Sequence, residues 1–412
     1  MKKLLLLAAA AIVAAGTVQA KTADELRFYL NPGHGSYGPN DRPMPTIGHP
    51  DTGKLNAAET SWIDTDTLGF YEGRGTLPRS MAIGQYLQKF GVKAENIVYS
   101  RLANGPWPFY ADLNTDPNYS DKYVYTIVET QFNRNLTEIC EEVEVGNFDM
   151  FISSHSNAAT DGTSTNYPLT LYRGYDNGKT GDAGYNGNAV EGSYAMAQAT
   201  WPTHWMNELD PTTYYDKNNP NIHGDINFYG SYSTRTSASS GNRYAGYLGV
   251  LKHGTPGYLL EGFFHTYQPA RQRALNFDYD RQEGRREARG VGAYFGLTPP
   301  TTGDIMGFVK DMHEKLVHNL YKYAAGTDDQ WLPLNGATVK LMQGDKEVAS
   351  YTVDDQYNGI FVFEDVEPGE YTIVATAEGY KAQAEVATVT VTANETAYSK
   401  IFLENENYVP DE

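Results

Sequence analysis

Two histidines and one glutamate stand beside short apolar runs of the 412-residue chain. His34 follows a Pro-Gly turn in LNPGHGSYG, His155 stands in FISSHSNAA, and Glu261 follows the apolar run of GYLLEGFFH. Ending an apolar strand on an ionisable residue is costly unless that residue is exposed or paired. We therefore expect the three side chains to lie at strand ends and to converge on one edge of a sheet, where ligands bind in open α/β folds.

Histidine and carboxylate side chains in this arrangement are typical of a catalytic zinc site. Catalytic zinc usually takes three protein ligands and leaves its fourth position for water. A separate carboxylate must then act as a base toward that water. With His34 and His155 as ligands, Glu261 could fill either carboxylate role. Glu72, in GFYEGRG just before the first predicted helix, could fill the other.

The elements predicted around these residues alternate between strand and helix. Strands are predicted at 26–32, 96–101, 149–154, 169–174 and 257–264, and helices at 80–90, 125–143 and 283–296. This alternation favours an α/β fold, with a mainly parallel sheet flanked by helices. We predict that this domain occupies residues 21–298 and carries a Gly- and Asn-rich elaboration at about 160–250.

The pattern changes after residue 298. GLTPPTTGD is a plausible linker, and short alternating strands separated by turns follow it. They predict a small all-β sandwich domain at 299–412. Residues 312–326, MHEKLVHNLYKYAAG, place apolar side chains at helical spacing and predict a helical insertion in this domain. The linker predicts that residues 21–298 fold and act without the β-domain.

Composition and the N-terminus indicate the compartment and exclude some partners. Residues 1–20, MKKLLLLAAAAIVAAGTVQA, predict a secretory signal, and no later segment approaches a membrane span. A net charge of −19 argues against nucleic acid and anionic lipid as partners. The single cysteine, Cys140, excludes an intramolecular disulfide and is predicted to be a buried structural thiol. We expect a periplasmic or extracellular monomer.

These motifs and their order resemble the zinc-dependent N-acetylmuramoyl-L-alanine amidases of the type-3 family. The first matching residues are Pro32-Gly33-His34-Gly35 after the first strand, Glu72 at the start of the next helix, and Ser100-Arg101 at the end of the second strand. A Ser-x-His-x-Asn-Ala motif follows at Ser153, His155, Asn157 and Ala158, and a late strand carries Glu261-Gly262-Phe263. The resemblance covers about residues 27–296 and departs from the family at Asn31, where aspartate is usual. The part after Gly303 resembles a carboxypeptidase regulatory-like domain.

The resemblance implies roles for four residues. His34, Glu72 and His155 would hold Zn²⁺, and Glu261 would be the catalytic carboxylate. The substrate would be peptidoglycan or its muropeptides. The reaction would be hydrolysis of the amide bond between N-acetylmuramic acid and the L-alanine of the stem peptide.

Several alternatives stay open at this point. Glu59 or His49 could replace Glu72 as the third ligand, and His265 could be a donor to a ligand or an ordinary surface residue. A zinc exopeptidase of the carboxypeptidase kind is a second interpretation, although its usual His-x-x-Glu ligand pair is lacking. A non-catalytic cell-wall binding protein is a third. Metal content and turnover separate the three.

Overall fold

The structure is a computed structural model in which the described part of the chain has several gaps. It describes residues 21–34, 44–48, 69–102, 134, 136–175, 190–204, 208–211, 220–229 and 248–410. The predicted signal at 1–20, the alternative ligands His49 and Glu59, and much of the 160–250 elaboration lie outside the described residues. Within the described ranges, no helix is both long enough and apolar enough to cross a membrane.

Six strands of the N-terminal part form one sheet. They are β1 Phe28–Pro32, β2 Ile97–Tyr99, β3 Met150–Asn157, β4 Leu169–Tyr172, β5 Ile222–Gly224 and β6 Gly257–Phe264. Their order across the sheet is β2-β1-β3-β6-β4-β5. All neighbours are parallel except β4 and β6, which are antiparallel. The predicted mainly parallel sheet is confirmed.

Helices cover both faces of this sheet. They are α1 Glu72–Lys89, α2 Leu136–Val145, α3 Ser193–Thr200, α4 Asp225–Tyr229, α5 Gln268–Arg273 and α6 Phe277–Tyr294. Along β1, Phe28 and Leu30 join the apolar cluster that contains residues of α1, α3 and α6, whereas Tyr29 joins the cluster of α2. This alternation buries each side of the sheet. The predicted burial of Cys140 is also confirmed.

Helices α1 and α6 approach each other closely because of a glycine. A Cβ atom on Gly284 of α6 would lie 2.1 Å from the carbonyl oxygen of Arg79 in α1. Any larger residue at position 284 would push the two helices apart. The tight crossing therefore fixes α6 against the helix that begins at Glu72.

The C-terminal part is a sandwich of two sheets. Its strands are β7 Gly303–Lys315, β8 Trp331–Pro333, β9 Thr338–Gln343, β10 Lys346–Thr352, β11 Ile360–Val366, β12 Gly369–Thr376, β13 Ala387–Val391 and β14 Thr396–Leu403. One sheet has the order β10-β9-β12-β13, and the other has β11-β7-β14 with β8 paired to β7. Side chains of both sheets share one apolar cluster. The predicted all-β sandwich is confirmed.

The helical insertion predicted at 312–326 is wrong. Strand β7 continues to Lys315, and residues 316–326 contain no helix. The backbone N–H of Leu316 donates to the carbonyl oxygen of Gln330 at 2.9 Å. Leu316 and Tyr321 are buried together with Ile47 of the N-terminal part. Pairing with another strand and packing against Ile47 therefore override the local helical spacing.

Buried ion pairs connect α6 to the β-domain. Arg285 donates two hydrogen bonds to Asp304 of β7, at 2.8 and 2.7 Å, and Arg289 contacts the same carboxylate. The Asp304 side chain is fully buried. Burial favours the neutral acid, yet Arg285 and Arg289 hold the pKa of Asp304 below its usual value. The carboxylate is thus a charged partner for two arginines of the helix.

A second set of contacts with the β-domain lies around helix α5. Arg273 pairs with the buried Asp329 at 2.6 Å, and the Tyr267 hydroxyl donates to the same carboxylate at 2.8 Å. A shared apolar cluster adds Leu209 and Tyr279 from one side and Met306, Phe308, Ile360 and Val362 from the other. Residues on both sides of position 298 therefore share one buried interior. We therefore expect, contrary to the expectation from the linker, that residues 21–298 do not fold stably by themselves.

Candidate metal centre

Three of the sequence-predicted residues converge at the start of α1. Nε2 of His34 lies 3.0 Å from Oε2 of Glu72, and Nδ1 of His155 lies 3.0 Å from Oε1 of the same carboxylate. One potential ligand atom from each residue lies within 4.8 Å of the others. His34 follows β1, Glu72 is the first residue of α1, and His155 lies in β3. The fold therefore brings together side chains far apart in sequence.

The Pro-Gly-His turn is shaped by the ring of His155. A Cβ atom on Gly33 would lie 2.3 Å from Cε1 and Nε2 of His155, so only glycine fits this position. The backbone N–H of Gly33 donates to the carbonyl oxygen of Ser154 at 2.9 Å. His34 then takes a left-handed φ of 62°, and the two imidazole ring centroids stand 5.2 Å apart.

Glu72 is held as a carboxylate between the two imidazoles. The residue is 6 % exposed, and Oε1 accepts a hydrogen bond from the backbone N–H of Ser156 at 2.7 Å. Burial favours the protonated acid, but contacts with His155 and His34 hold the pKa of Glu72 well below its usual range. A negative charge is also favourable at this helix N-terminus.

The donor set fits a zinc ion. Two imidazoles and one carboxylate are a ligand combination found in catalytic zinc sites. The carboxylate is anionic, and burial lowers the pKa of His155, which favours the neutral imidazole that metals bind. His34, Glu72 and His155 could therefore hold such an ion with a position left for substrate or water.

Two buried arginines fix the backbone of the ligand-bearing segments. Arg79 of α1 donates to the carbonyl oxygen of His155 at 2.8 Å and to Glu283 of α6 at 2.8 Å. Arg101 donates to the carbonyl oxygens of Gly73 at 2.6 Å and Pro32 at 3.2 Å. Arg101 was identified from the sequence as part of a motif, whereas Arg79 was not identified.

Asn31, where the resemblance departs from the family, ties three strands together. Its side-chain nitrogen donates to the Ser153 hydroxyl of β3 at 2.8 Å. Its side-chain oxygen accepts from the Ser100 hydroxyl, just after β2, at 2.7 Å. Asparagine is suited to this position because it offers both a donor and an acceptor.

Glu261 lies inside strand β6, and its predicted position at a strand end is wrong. It is the fifth of eight residues, and the apolar run continues through Phe263 and Phe264. Glu261 is the register neighbour of His155 in the adjacent parallel strand. Neighbouring residues in register project to the same side of a sheet. The carboxylate therefore stands on the same face as His155.

The Glu261 carboxylate is buried, and hydrogen bonds do not fully replace its contacts with water. The residue is 8 % exposed, and its Oε2 has no hydrogen-bond partner among the described residues. Burial, followed by the nearby charge of Glu72, raises the pKa of Glu261 to about 8. An incompletely satisfied buried carboxylate beside a cluster of this kind is typical of a functional site.

His265, whose role the sequence left open, lies at the cluster. Its Nδ1 is 2.9 Å from the Ser156 hydroxyl and 4.0 Å from Oε2 of Glu72. Its ring centroid stands 5.7 Å from that of Phe70. Burial lowers the pKa of His265. A contact with the residue after His155 could not be inferred from the sequence, because 109 positions separate Ser156 from His265.

Comparisons with known proteins give matches to both parts of the chain. A profile of the carboxypeptidase regulatory-like domain family matches residues 327–404, which confirms the predicted resemblance of the C-terminal part. No curated protein matches the chain.

Among solved structures, the chain is similar to several N-acetylmuramoyl-L-alanine amidases. The enzyme from Clostridium difficile 630 is 16% identical with a TM-score of 0.37, and the match covers 66% of this chain and 98% of that one. AmiC2 of Nostoc punctiforme is 19% identical with a TM-score of 0.36, covering 66% and 97%. Ami1 from Mycobacterium abscessus is 15% identical with a TM-score of 0.38, covering 66% and 98%.

Proposed function

We propose that the chain is a zinc-dependent N-acetylmuramoyl-L-alanine amidase. It would hydrolyse the amide bond between N-acetylmuramic acid and L-alanine in peptidoglycan. The observation that carries this proposal is the convergence of His34, Glu72 and His155, with Glu261 on the neighbouring strand of the same sheet. The motifs that supply these residues are those that resemble the type-3 amidases.

In this proposal His34, Glu72 and His155 hold the zinc ion. Bound zinc would polarise the amide carbonyl and make water a better nucleophile. Neighbouring groups of the chain position these ligands, because the N–H of Ser156 orients the carboxylate of Glu72 and Arg79 anchors the backbone of His155. Such supporting contacts fix the orientation of ligands and are costly to remove.

Glu261 would move the proton during hydrolysis. It takes a proton from the attacking water and then gives it to the amide nitrogen as the C–N bond breaks. Burial and the charge of Glu72 raise the pKa of Glu261 in the metal-free site, and a bound zinc ion would lower it again, which favours the carboxylate that accepts the proton. Its Oε2, which is buried and has no hydrogen-bond partner among the described residues, is the acceptor that this role needs.

We also propose that the chain acts as an exported monomer on muropeptides. The signal predicted at 1–20 would direct it to the compartment that holds peptidoglycan. One chain supplies all four residues of the site. The net charge of −19 disfavours nucleic acid as a partner.

The products of digestion test the proposed bond. Purified sacculi treated with the protein should release stem peptides that begin with a free L-alanine amine, and the glycan strands should stay intact. Mass spectrometry of the soluble fraction measures both. New reducing ends without free L-alanine would contradict an amidase. Cleavage inside the stem would favour the exopeptidase alternative, and zinc binding without any cleavage would favour the cell-wall binding protein.

Zinc content tests the metal site. The purified chain should contain one tightly bound zinc ion, and His34→Ala or His155→Ala should each remove most of it, because either change removes one of three ligands. Elemental analysis measures the content. His313→Ala is the matched control, since His313 is exposed on the β-domain. Near-unchanged zinc in both site variants would refute the assignment.

A further inference from the structure

Residues 316–326 of the β-domain follow β7 and lie against the N-terminal part. The backbone N–H of Lys322 donates to the side-chain oxygen of Gln268. Cγ of Lys322 lies 3.7 Å from the position that a Cβ atom on Gly162 would take. Lys322 therefore lies against two separate segments of the N-terminal part, one at each of these residues.

The two segments follow the strands that carry His155 and Glu261. Residues 158–168 follow β3, and residues 265–268 follow β6. Because β3 and β6 are parallel, both segments leave the sheet at the same edge, where ligands bind in open α/β folds. We call these two segments the rim.

The rim directly borders the proposed metal ligands. Nδ1 of His265 lies 4.0 Å from Oε2 of Glu72. The backbone N–H of Gly162 donates to the carbonyl oxygen of Thr266 at 3.1 Å, which ties the two segments together. Lys322, from the other domain, is thus held on a surface that is continuous with the cluster.

Lys322 brings a positive charge to the rim. The neighbouring Asp161 pairs with Arg271 at 2.8 Å, so that pair is neutral as a whole. The Lys322 side chain is exposed, and its ammonium group has no ion pair within the described ranges. In a chain with a net charge of −19, this uncompensated cation beside the cluster fits an anionic ligand.

We propose that Lys322 binds a carboxylate of the stem peptide while the cluster holds the scissile amide. The inference rests on the proposed amidase function and adds a substrate-binding residue from the second domain. Beyond L-alanine the stem peptide carries free carboxylates, and an extended peptide advances about 3.3 Å per residue. A peptide that leaves the cluster along the rim passes Lys322, whose flexible side chain can follow the carboxylate.

Two soluble substrates isolate the charge of the peptide. One is an N-acetylmuramoyl-L-alanyl peptide with free carboxylates, and the other is the same peptide with those carboxylates amidated. Lys322→Gln should raise KM for the charged peptide about two- to fivefold, the range for an exposed ion pair. The value of kcat should not change, because the contact is the same in the ground state and the transition state. KM for the amidated peptide should be equal in both chains, since it has no charge to lose.

Two further variants serve as controls. Lys322→Arg keeps the charge and should keep the KM of the unchanged chain. Lys346→Gln removes an exposed lysine of β10, away from the rim, and should change neither constant. Melting temperature and zinc content should be the same in all three variants. The difference between the two peptides should shrink at about 1 M salt, where the Debye length is only about 3 Å.

A binding measurement gives a readout that does not depend on turnover. In a Glu261→Gln background, calorimetry with the charged peptide should show affinity that is about two- to fivefold weaker with glutamine at position 322 than with Lys322. Equal affinities with the two residues would overturn the inference.

Other outcomes would also overturn the inference. An unchanged KM in Lys322→Gln would remove the contact with the carboxylate. An equal rise in KM for both peptides would show that the charge of the peptide is not what Lys322 recognises. A lower kcat or loss of zinc at constant KM would make Lys322 a support for the cluster, through Gln268. An unchanged chain that cleaves neither peptide would overturn the proposed function and this inference with it.

Discussion

Replacing Glu261 with glutamine should lower the rate of amide hydrolysis by about 10²–10⁴-fold. Glutamine keeps the shape of the side chain but cannot take a proton from water. Zinc should stay bound, because the proposed ligands are three other residues. Release of L-alanyl peptides from muropeptides measures the rate, and elemental analysis measures the metal.

The stability of this variant provides an internal check. Glu261 is buried, and its Oε2 has no partner among the described residues. A neutral amide in its place should leave the melting temperature unchanged or higher. Glu314→Gln, at an exposed position of β7, is the control. Zinc loss in the Glu261 variant would instead make Glu261 a ligand and leave Glu72 as the base, and full activity would exclude Glu261 from proton transfer.

Removing the β-domain should unfold the N-terminal part. A chain that ends at residue 298 leaves Arg285 and Arg289 without Asp304, and Arg273 without Asp329. Breaking a buried ion pair by removing one partner costs about 3–5 kcal/mol. Since a whole domain is stable by only about 5–15 kcal/mol, losses of this size at two places are prohibitive. Circular dichroism and thermal unfolding of the truncated chain measure the effect.

A point variant isolates one of these contacts in the full chain. Asp304→Asn should lower the free energy of unfolding by about 3–5 kcal/mol, whereas Asp345→Asn, at an exposed turn, should not change it. The pKa of Asp304 is lowered in the folded chain, so its stabilisation is present above its ordinary value of 3.8 and is lost as pH falls below it. A chain truncated at residue 298 that folds and cuts muropeptides at the full rate would contradict the prediction that the β-domain is needed for folding.

Most of the fold could be predicted because its elements carry strong local patterns. The apolar runs at 26–32 and 257–264 indicated strands, which the structure has at Phe28–Pro32 and Gly257–Phe264. The apolar spacing at 80–90 indicated a helix, which in the structure begins earlier and spans Glu72–Lys89. The pattern at 312–326 was misleading, because strand pairing extends to Lys315 and contacts with Ile47 bury the apolar side chains that follow. These contacts are long-range and leave no local signal.

The candidate site also contains residues that local patterns predicted and residues that they did not. His34, Glu72 and His155 were predicted because each belongs to a motif at the end of an element or close to it, and the fold brings such ends together. The strand predicted at 257–264 contains Glu261, but the expectation that Glu261 ends it was wrong, because the strand continues through Phe263 and Phe264. Arg79 was not predicted because its partner Glu283 lies 204 positions away.

The order of synthesis sets when the centre can form. Helix α6, with Arg285 and Arg289, is made before Asp304, and β7 pairs in parallel with β14, which ends at Leu403. A chain interrupted before β14 therefore has no complete sandwich to hold Asp304 against the helix. Through Glu283 and Arg79, the same helix supports His155. We therefore expect that fragments without β14, from early termination or proteolysis, lose the support that α6 gives to His155 and lack a formed cluster of His34, Glu72 and His155.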